Sequence, residues 1–496
     1  MATRQEPRPD LREDRDQHPV SGAENATPLS TAQERLWFID AAAPGSAAYN
    51  VPLLLRWRGP VDVAALGTAL TAVTARHDVL RTVYELRDGR PVQIVRDVCP
   101  VPVDAVDCPG TGPAPEAVDS EARRPFDLAA RPPLRCTVWR GGQGGDLVLL
   151  TIHHIAVDGW SLLPLFTDLA AAYRSAVDGS VPDLPALPLQ YADYAAWEKE
   201  TCASPELRRK LAERAGQLES FPGRLTLGER TGRHAVPEGA RRGAQHIFRL
   251  EPELWTGVGE LAARLRATPY TLLLAAFQTV VQRWSGRERF IIGTVAADRQ
   301  LPDLEQLVGF FVNTVPLSCH PEPDQSFADL CLQVRTEVYR ALTLSRLPYD
   351  RLSAAAAPGR AEADLGPLVE IGFGLQNMPA PPTDEGVPWE SPELLPTGSA
   401  KFGLLLLLEE RSDGVRATVE YDLDLYGPEL AEAVAGQFQA LLAAALADPD
   451  RPLCRLPLTR RAPGTAHPGI VHGERRDLVG ERLALLAAAG QGGHRS

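Results

Sequence analysis

Residues 147–161 read LVLLTIHHIAVDGWS, and the rest of the chain is best understood outward from them. The run Leu147–Ile152 is apolar and partly β-branched, which predicts a buried strand. It delivers two adjacent histidines, His153 and His154, with Asp158 four residues after the second and Gly159 next. A strand exit is where a side chain leaves the core, and imidazole is the side chain best suited to move a proton near neutral pH. Asp158 is close enough to brace the loop that carries the imidazole. Gly159 permits a tight turn or the close approach of a substrate. A lone buried histidine is more often structural than chemical, and His153 is assigned to that role. His154 is the candidate proton acceptor.

Composition sets the outer limits. At 496 residues the chain has length for two domains of ordinary size, each with its own core. It carries 51 basic and 64 acidic residues, a net charge of −13, so nucleic-acid binding has no electrostatic support. The seven cysteines are scattered without a CxxC pair or a His/Cys cluster, which indicates neither a zinc site nor a disulfide framework. Reduced thiols in the cytoplasm are the simplest account. The first residues are polar, with no apolar core of a secretory signal. No segment is expected to span a membrane, and the run Leu404–Leu408 is expected to be a buried strand.

Strand-like and helical stretches alternate along the chain. Leu66, Leu70 and Val73 share one face of a helix expected to end near His77, and Leu53–Trp57 and Val92–Val95 are expected strands. Residues 218–243 shift to Gly, Arg, Pro and Thr without a period, which predicts a linker between two lobes. The expected organisation is a polar lead over 1–26, an N-terminal lobe over 27–217, the linker over 218–243, a C-terminal lobe over 244–459 and a loose tail over 460–496. Within the tail, Leu478–Ala489 has the composition of a short helix. Trp37 and Trp197 are expected in the core.

Several further stretches carry a family resemblance in chain order: LSTAQERLWFID (29–40), YNVP (49–52), RHDVLRTVY (76–84), RRPFDLAARPPLR (123–135) and YADYAAWEKE (191–200). The second half adds IIGTVAADR (291–299), VGFFVNTVPL (308–317), LPYDRL (347–352), FGLQN (373–377) and KFGL (401–404). With His-His-x-x-x-Asp-Gly among them, the chain resembles the condensation domains of nonribosomal peptide synthetases from about Thr27 to Leu458. Val295 stands where that family often has Pro, and Gly403 where it often has Asp. The two-Asp pattern of heterocyclising relatives is absent.

The resemblance implies an α/β fold of two chloramphenicol-acetyltransferase-like lobes, a V-shaped pseudo-dimer with the active-site tunnel between them. It implies an amide- or ester-forming acyltransferase whose donor is an acyl or aminoacyl thioester on a peptidyl or aryl carrier protein. The acceptor is a small molecule or is itself carrier-bound. No cofactor or metal of the chain's own is expected, because the phosphopantetheine arm arrives on the donor carrier. In this scheme His154 is the general base or an orienting hydrogen-bond partner, and Asp158 pairs with Arg299. Arg76 is expected in a structural ion pair, Arg81 in either such a pair or the tunnel wall, and Asn313 in a hydrogen bond across the lobe junction. A free-standing, monomeric, cytoplasmic enzyme is the expectation. Three other readings share the motif or the fold: a CoA-dependent acyltransferase, an epimerisation domain, and a catalytically silent recruitment module.

Overall fold

The computed structural model describes residues 26–457, apart from 111, 143, 222–224, 228–238, 240, 300, 357–366, 379–380, 383–386 and 412–413. Most of the expected linker and the expected helix Leu478–Ala489 lie outside the described residues. Two mixed sheets organise the rest. The first runs β12 (Glu393–Leu394), β2 (Asn50–Arg56), β7 (Leu147–His153), β6 (Leu134–Gly142), β5 (Val103–Gly110), with only the β6–β5 pair parallel. The second runs β10 (Val312–Cys319), β9 (Phe290–Ala297), β11 (Ile371–Gln376), β13 (Leu404–Arg411), β14 (Gly414–Asp422), β8 (Gly243–Leu250), with β11 parallel to both its neighbours. A small sheet, β1 (Thr27–Pro28), β4 (Arg90–Val95) and β3 (Thr82–Arg87), flanks the first.

Local sequence explains these elements. Every residue of β7 is buried, because it is a central strand covered on both faces. The helix Val63–Arg76 buries Leu66, Leu70 and Val73 together, and the Asp62 side chain caps it by accepting from Ala65 N at 2.9 Å. The helix Thr31–Ala42 begins with a reciprocal capping box between Ser30 and Gln33. The helix Pro428–Ala447 is long and apolar enough, by length and composition, to cross a membrane, which sequence reading overlooked. Val434, Phe438, Leu441 and Leu442 on that helix are packed in the second core, which accounts for its apolarity.

The lobes are not contiguous halves of the chain. The helix Pro205–Glu219 packs Ala215 and Leu218 against Ile291, Leu352 and Val369 of the second half. On the same helix, buried Arg214 donates to Pro316 O at 2.8 Å and to Glu337 Oε1 at 2.9 Å. A lobe boundary at 217 therefore cuts through a helix that belongs with the second sheet. Two ribbons cross the other way. Leu304, Leu307, Val308, Phe310 and Phe311 join the first core, and Val387, Trp389 and β12 extend the first core and sheet. Apolar pattern along the chain cannot announce such crossings, since a buried residue looks the same whichever core receives it.

A buried ion pair ties the lobes together. Arg299, two residues past the end of β9, places Nη2 3.0 Å from Asp158 Oδ1, with both side chains nearly inaccessible. Arg299 Nη2 also donates to Ser161 Oγ at 2.8 Å, and Nη1 donates to the carbonyls of Leu304 and Leu307 at 2.7 and 2.8 Å. Asp158 Oδ1 accepts from Ser161 N at 2.8 Å, and Oδ2 accepts from Phe311 N at 3.1 Å. The Arg299 guanidinium lies over the Phe311 ring, 4.2 Å from its centroid.

Two outcomes are expected from this packing. Asp158→Asn and Arg299→Ala should each lower unfolding free energy by about 3–5 kcal/mol, because either change strands a buried charge. In chemical denaturation the double variant should cost less than the sum of the two, and strict additivity would show that the residues do not act as a pair. Trp389 is fully buried against Trp57 and Phe166, yet its Nε1 has no hydrogen-bond partner among the described residues. Trp389→Ala should cost about 3–5 kcal/mol, while Trp389→Phe, which leaves no polar atom stranded, should cost much less in the same measurement.

Candidate active site

The two histidines leave β7 in opposite states. His153 pairs with Asn50 in the strand ladder and is almost fully buried. Its Nδ1 accepts from Ile155 N at 3.1 Å, so its proton is on Nε2, and its ring meets the edge of Phe126 at 5.9 Å. Burial, then the charges of His154 and Arg135, push its pKa down to about 3. His153 is a neutral packing group.

His154 begins a short 3-10 turn, His154–Ala156, and is half-buried. Its Nδ1 lies 2.6 Å from Val157 O. A carbonyl only accepts, so Nδ1 carries the proton and Nε2 presents a lone pair. No hydrogen bond occupies Nε2 among the described residues. Burial first, and then the charge of Lys401, push the His154 pKa down to about 4, against smaller opposing effects of Val157 O and Asp158. The imidazole is therefore neutral at pH 7, with the Nε2 lone pair available to accept a proton. The Phe310 ring stands edge-on at 5.0 Å and Tyr49 at 6.4 Å, giving the imidazole an apolar collar.

Asp158 cannot share the proton work. The donors of Arg299, Ser161 and Phe311 fill its carboxylate. It braces the loop, with Ser161 as the companion that sequence reading missed. Nothing distinguishes Ser161 from an ordinary polar residue at a helix start until its neighbours Gly309 and Arg299 arrive from the second half. Gly159 has no left-handed backbone. A Cβ there would lie 2.3 Å from the Met378 sulfur, so the glycine admits a side chain of this chain rather than a special turn.

Three expected residues stand away from His154. Arg81 is held locally, 2.6 Å from Asp78 Oδ1 and bonded to Arg96 O, which makes it structural. Arg76 is likewise structural, 3.0 Å from the Asp168 carboxylate that also bonds His77. Asn313 does not bridge the lobes. Its Nδ2 donates to Ser345 O and Leu347 O, both at 2.7 Å, and its Oδ1 accepts from Tyr349 N at 3.3 Å, all within the second lobe. A side-chain amide on β10 is suited to cap that turn, and the neighbouring turn outcompetes the more distant lobe. Gly403 has a reason of its own: a Cβ there would meet the Glu370 carboxylate at 2.3 Å, so an acidic group from the neighbouring segment fills that space.

Comparison with known proteins accords with this geometry. Residues 23–463 match the condensation-domain family model. Phosphinothricin tripeptide synthetase PhsC of Streptomyces viridochromogenes is 37% identical over 88% of this chain, and the match spans 40% of that synthetase. Isonitrile lipopeptide synthase of Mycobacterium tuberculosis is 33% identical over 86% of this chain, a match to 17% of its length. The chain thus spans well under half of these relatives. Among solved structures, the X-domain from teicoplanin biosynthesis superposes with a TM-score of 0.79 at 25% identity, covering 91% of this chain and all of that one. The first condensation domain of the calcium-dependent antibiotic synthetase, in complex with a substrate analogue, gives 0.73 at 21% identity, covering 88% of this chain and all of that one. The α/β fold of two chloramphenicol-acetyltransferase-like lobes is the one the sequence led us to expect. The chain belongs to the condensation-domain family.

Proposed function

We propose that this chain forms an amide or ester bond by transferring an acyl or aminoacyl group from a carrier-protein thioester to an amine or hydroxyl. The observation that carries the reading is the His154 imidazole, locked with its proton on Nδ1 and its basic Nε2 uncommitted. As the nucleophile attacks the thioester carbonyl, Nε2 takes its proton. When the tetrahedral adduct collapses, the C–S bond breaks and the same proton passes to the departing thiolate. The products are the amide or ester and the free phosphopantetheine thiol. The apolar collar of Phe310 and Tyr49 limits water, which would otherwise compete for the thioester. No cofactor of the chain's own enters this scheme, and the donor arm comes with the carrier. The seven free thiols suit an enzyme of the reducing cytoplasm.

A second reading draws on one comparison. The teicoplanin X-domain is also known in complex with OxyB, with a TM-score of 0.77 to this chain, so the fold can serve as a binding platform. The uncommitted basic nitrogen of His154 favours chemistry.

His154→Ala should lower product formation by about 10²-fold or more, read by mass spectrometry of a loaded carrier with candidate amines and alcohols. A folded variant with wild-type turnover would remove His154 from the mechanism, and a wild type that transfers no acyl group would favour the platform. Comparable efficiency with the acyl group on free CoA would move the donor assignment to CoA. In the wild type, the folded-state pKa near 4 means that His154 is deprotonated throughout the neutral range. Turnover should therefore not fall through the ordinary histidine pKa of about 6.5, and its acid limb should lie near pH 4.

A further inference from the structure

Acyl transfer as written makes no use of Tyr191, which opens the helix Tyr191–Cys202 and is only 1% exposed. Its hydroxyl donates to Phe310 O at 2.5 Å. Ser30 Oγ, which caps the helix Thr31–Ala42, lies 2.9 Å from the same hydroxyl. The Tyr191 ring covers Gly309 so closely that a Cβ there would be 2.0 Å from Cδ2, and its edge meets Phe311 at 5.0 Å. Asp158 holds the other end of the same peptide group through Phe311 N. The peptide group between Phe310 and Phe311 is thus gripped at both its carbonyl and its N–H by two residues of the first lobe. Next to this doubly held peptide the Phe310 ring stands 5.0 Å from the His154 ring, at 69° to it. The same buried network reaches the turn that begins with His154, where Gln33 Nε2 donates to Ile155 O and to Tyr84 Oη, both at 3.2 Å. Burial holds the Tyr191 pKa well above its ordinary value, so the hydroxyl remains a donor at any working pH.

We infer that Tyr191 is a positioning residue for His154: its bond to the Phe310 carbonyl sets the Phe310 ring against the imidazole and so fixes the ring's orientation and its exclusion of water. The inference rests on the reading of His154 as proton acceptor, but its geometry can be tested without substrate.

The test is a histidine NMR titration of the full chain, wild type beside Tyr191→Phe, paired with kinetics on a loaded carrier. Tyr191→Phe keeps the ring over Gly309 and removes only the hydroxyl. With the collar loosened, water reaches the imidazole and the His154 midpoint should rise by about 1 pH unit toward the ordinary histidine value. The kcat should fall about 10- to 100-fold while KM for the carrier stays within about twofold, as for a misplaced catalytic group with its binding surface intact. Phe310→Leu, which keeps an apolar side chain but removes the aromatic edge, should move the midpoint the same way and decides the matter if Tyr191→Phe does not fold. An unmoved midpoint in the folded variants overturns the inference, even if kcat falls. A moved midpoint in a protein whose wild type transfers no acyl group upholds the positioning role and sinks the proposed function instead.

Discussion

The contact on which the rest of this structure depends is the buried pair between Asp158 and Arg299. Removing two charges from water is costly, and a bare pair at 3.0 Å would not by itself recover that cost. Here the neighbours offset it: the carboxylate also accepts from Ser161 and Phe311, and the guanidinium also donates to two carbonyls and to Ser161 Oγ. The pair fixes geometry. One end anchors the loop immediately after His154 and the other the strand exit that leads into Gly309–Phe311, so both walls around the imidazole take their position from one polar knot.

Adjacent histidines in one strand exit might be expected to behave alike, and they do not. The hydrogen bond each ring makes decides its tautomer: a backbone N–H leaves Nδ1 of His153 an acceptor, and a carbonyl forces Nδ1 of His154 to be the donor. Both are held neutral by burial, but only His154 is left with a basic nitrogen uncommitted among the described residues. A depressed pKa makes for a weaker base. It also means that nearly every molecule carries the deprotonated form, which suits an acceptor that must give its proton back to a thiolate later in the same reaction.

Much of this could be read in the chain because the relevant physics is local. Leu147–Ile152 is apolar except at Thr151 since β7 is covered on both faces, and Leu66, Leu70 and Val73 mark a helix because one face meets the core. The pairing of Asp158 with Arg299 came from family resemblance, since nothing local links residues so far apart. Apart from the apolar length of the helix Pro428–Ala447, the failures are non-local. Asn313 caps a neighbouring turn instead of bridging lobes, Gly159 yields to Met378, and the helix Pro205–Glu219 sides with the second half. Phe310 and Tyr191 sit in stretches that were singled out, yet no pattern of spacing could show that one holds the other over the imidazole.

The ribbon that carries Trp389 and β12 into the first sheet has a bearing on how such chains can be recombined. A fragment ending after the first half would leave β2 with an open edge and Trp57 without Trp389 against it, an invitation to strand pairing between copies. Exchanging lobes between relatives at a single crossover point would produce the same defect inside a full-length hybrid. A workable chimera has to move the 301–311 and 387–395 segments together with the first lobe, so the unit of inheritance here is a three-dimensional body stitched from separate stretches of gene.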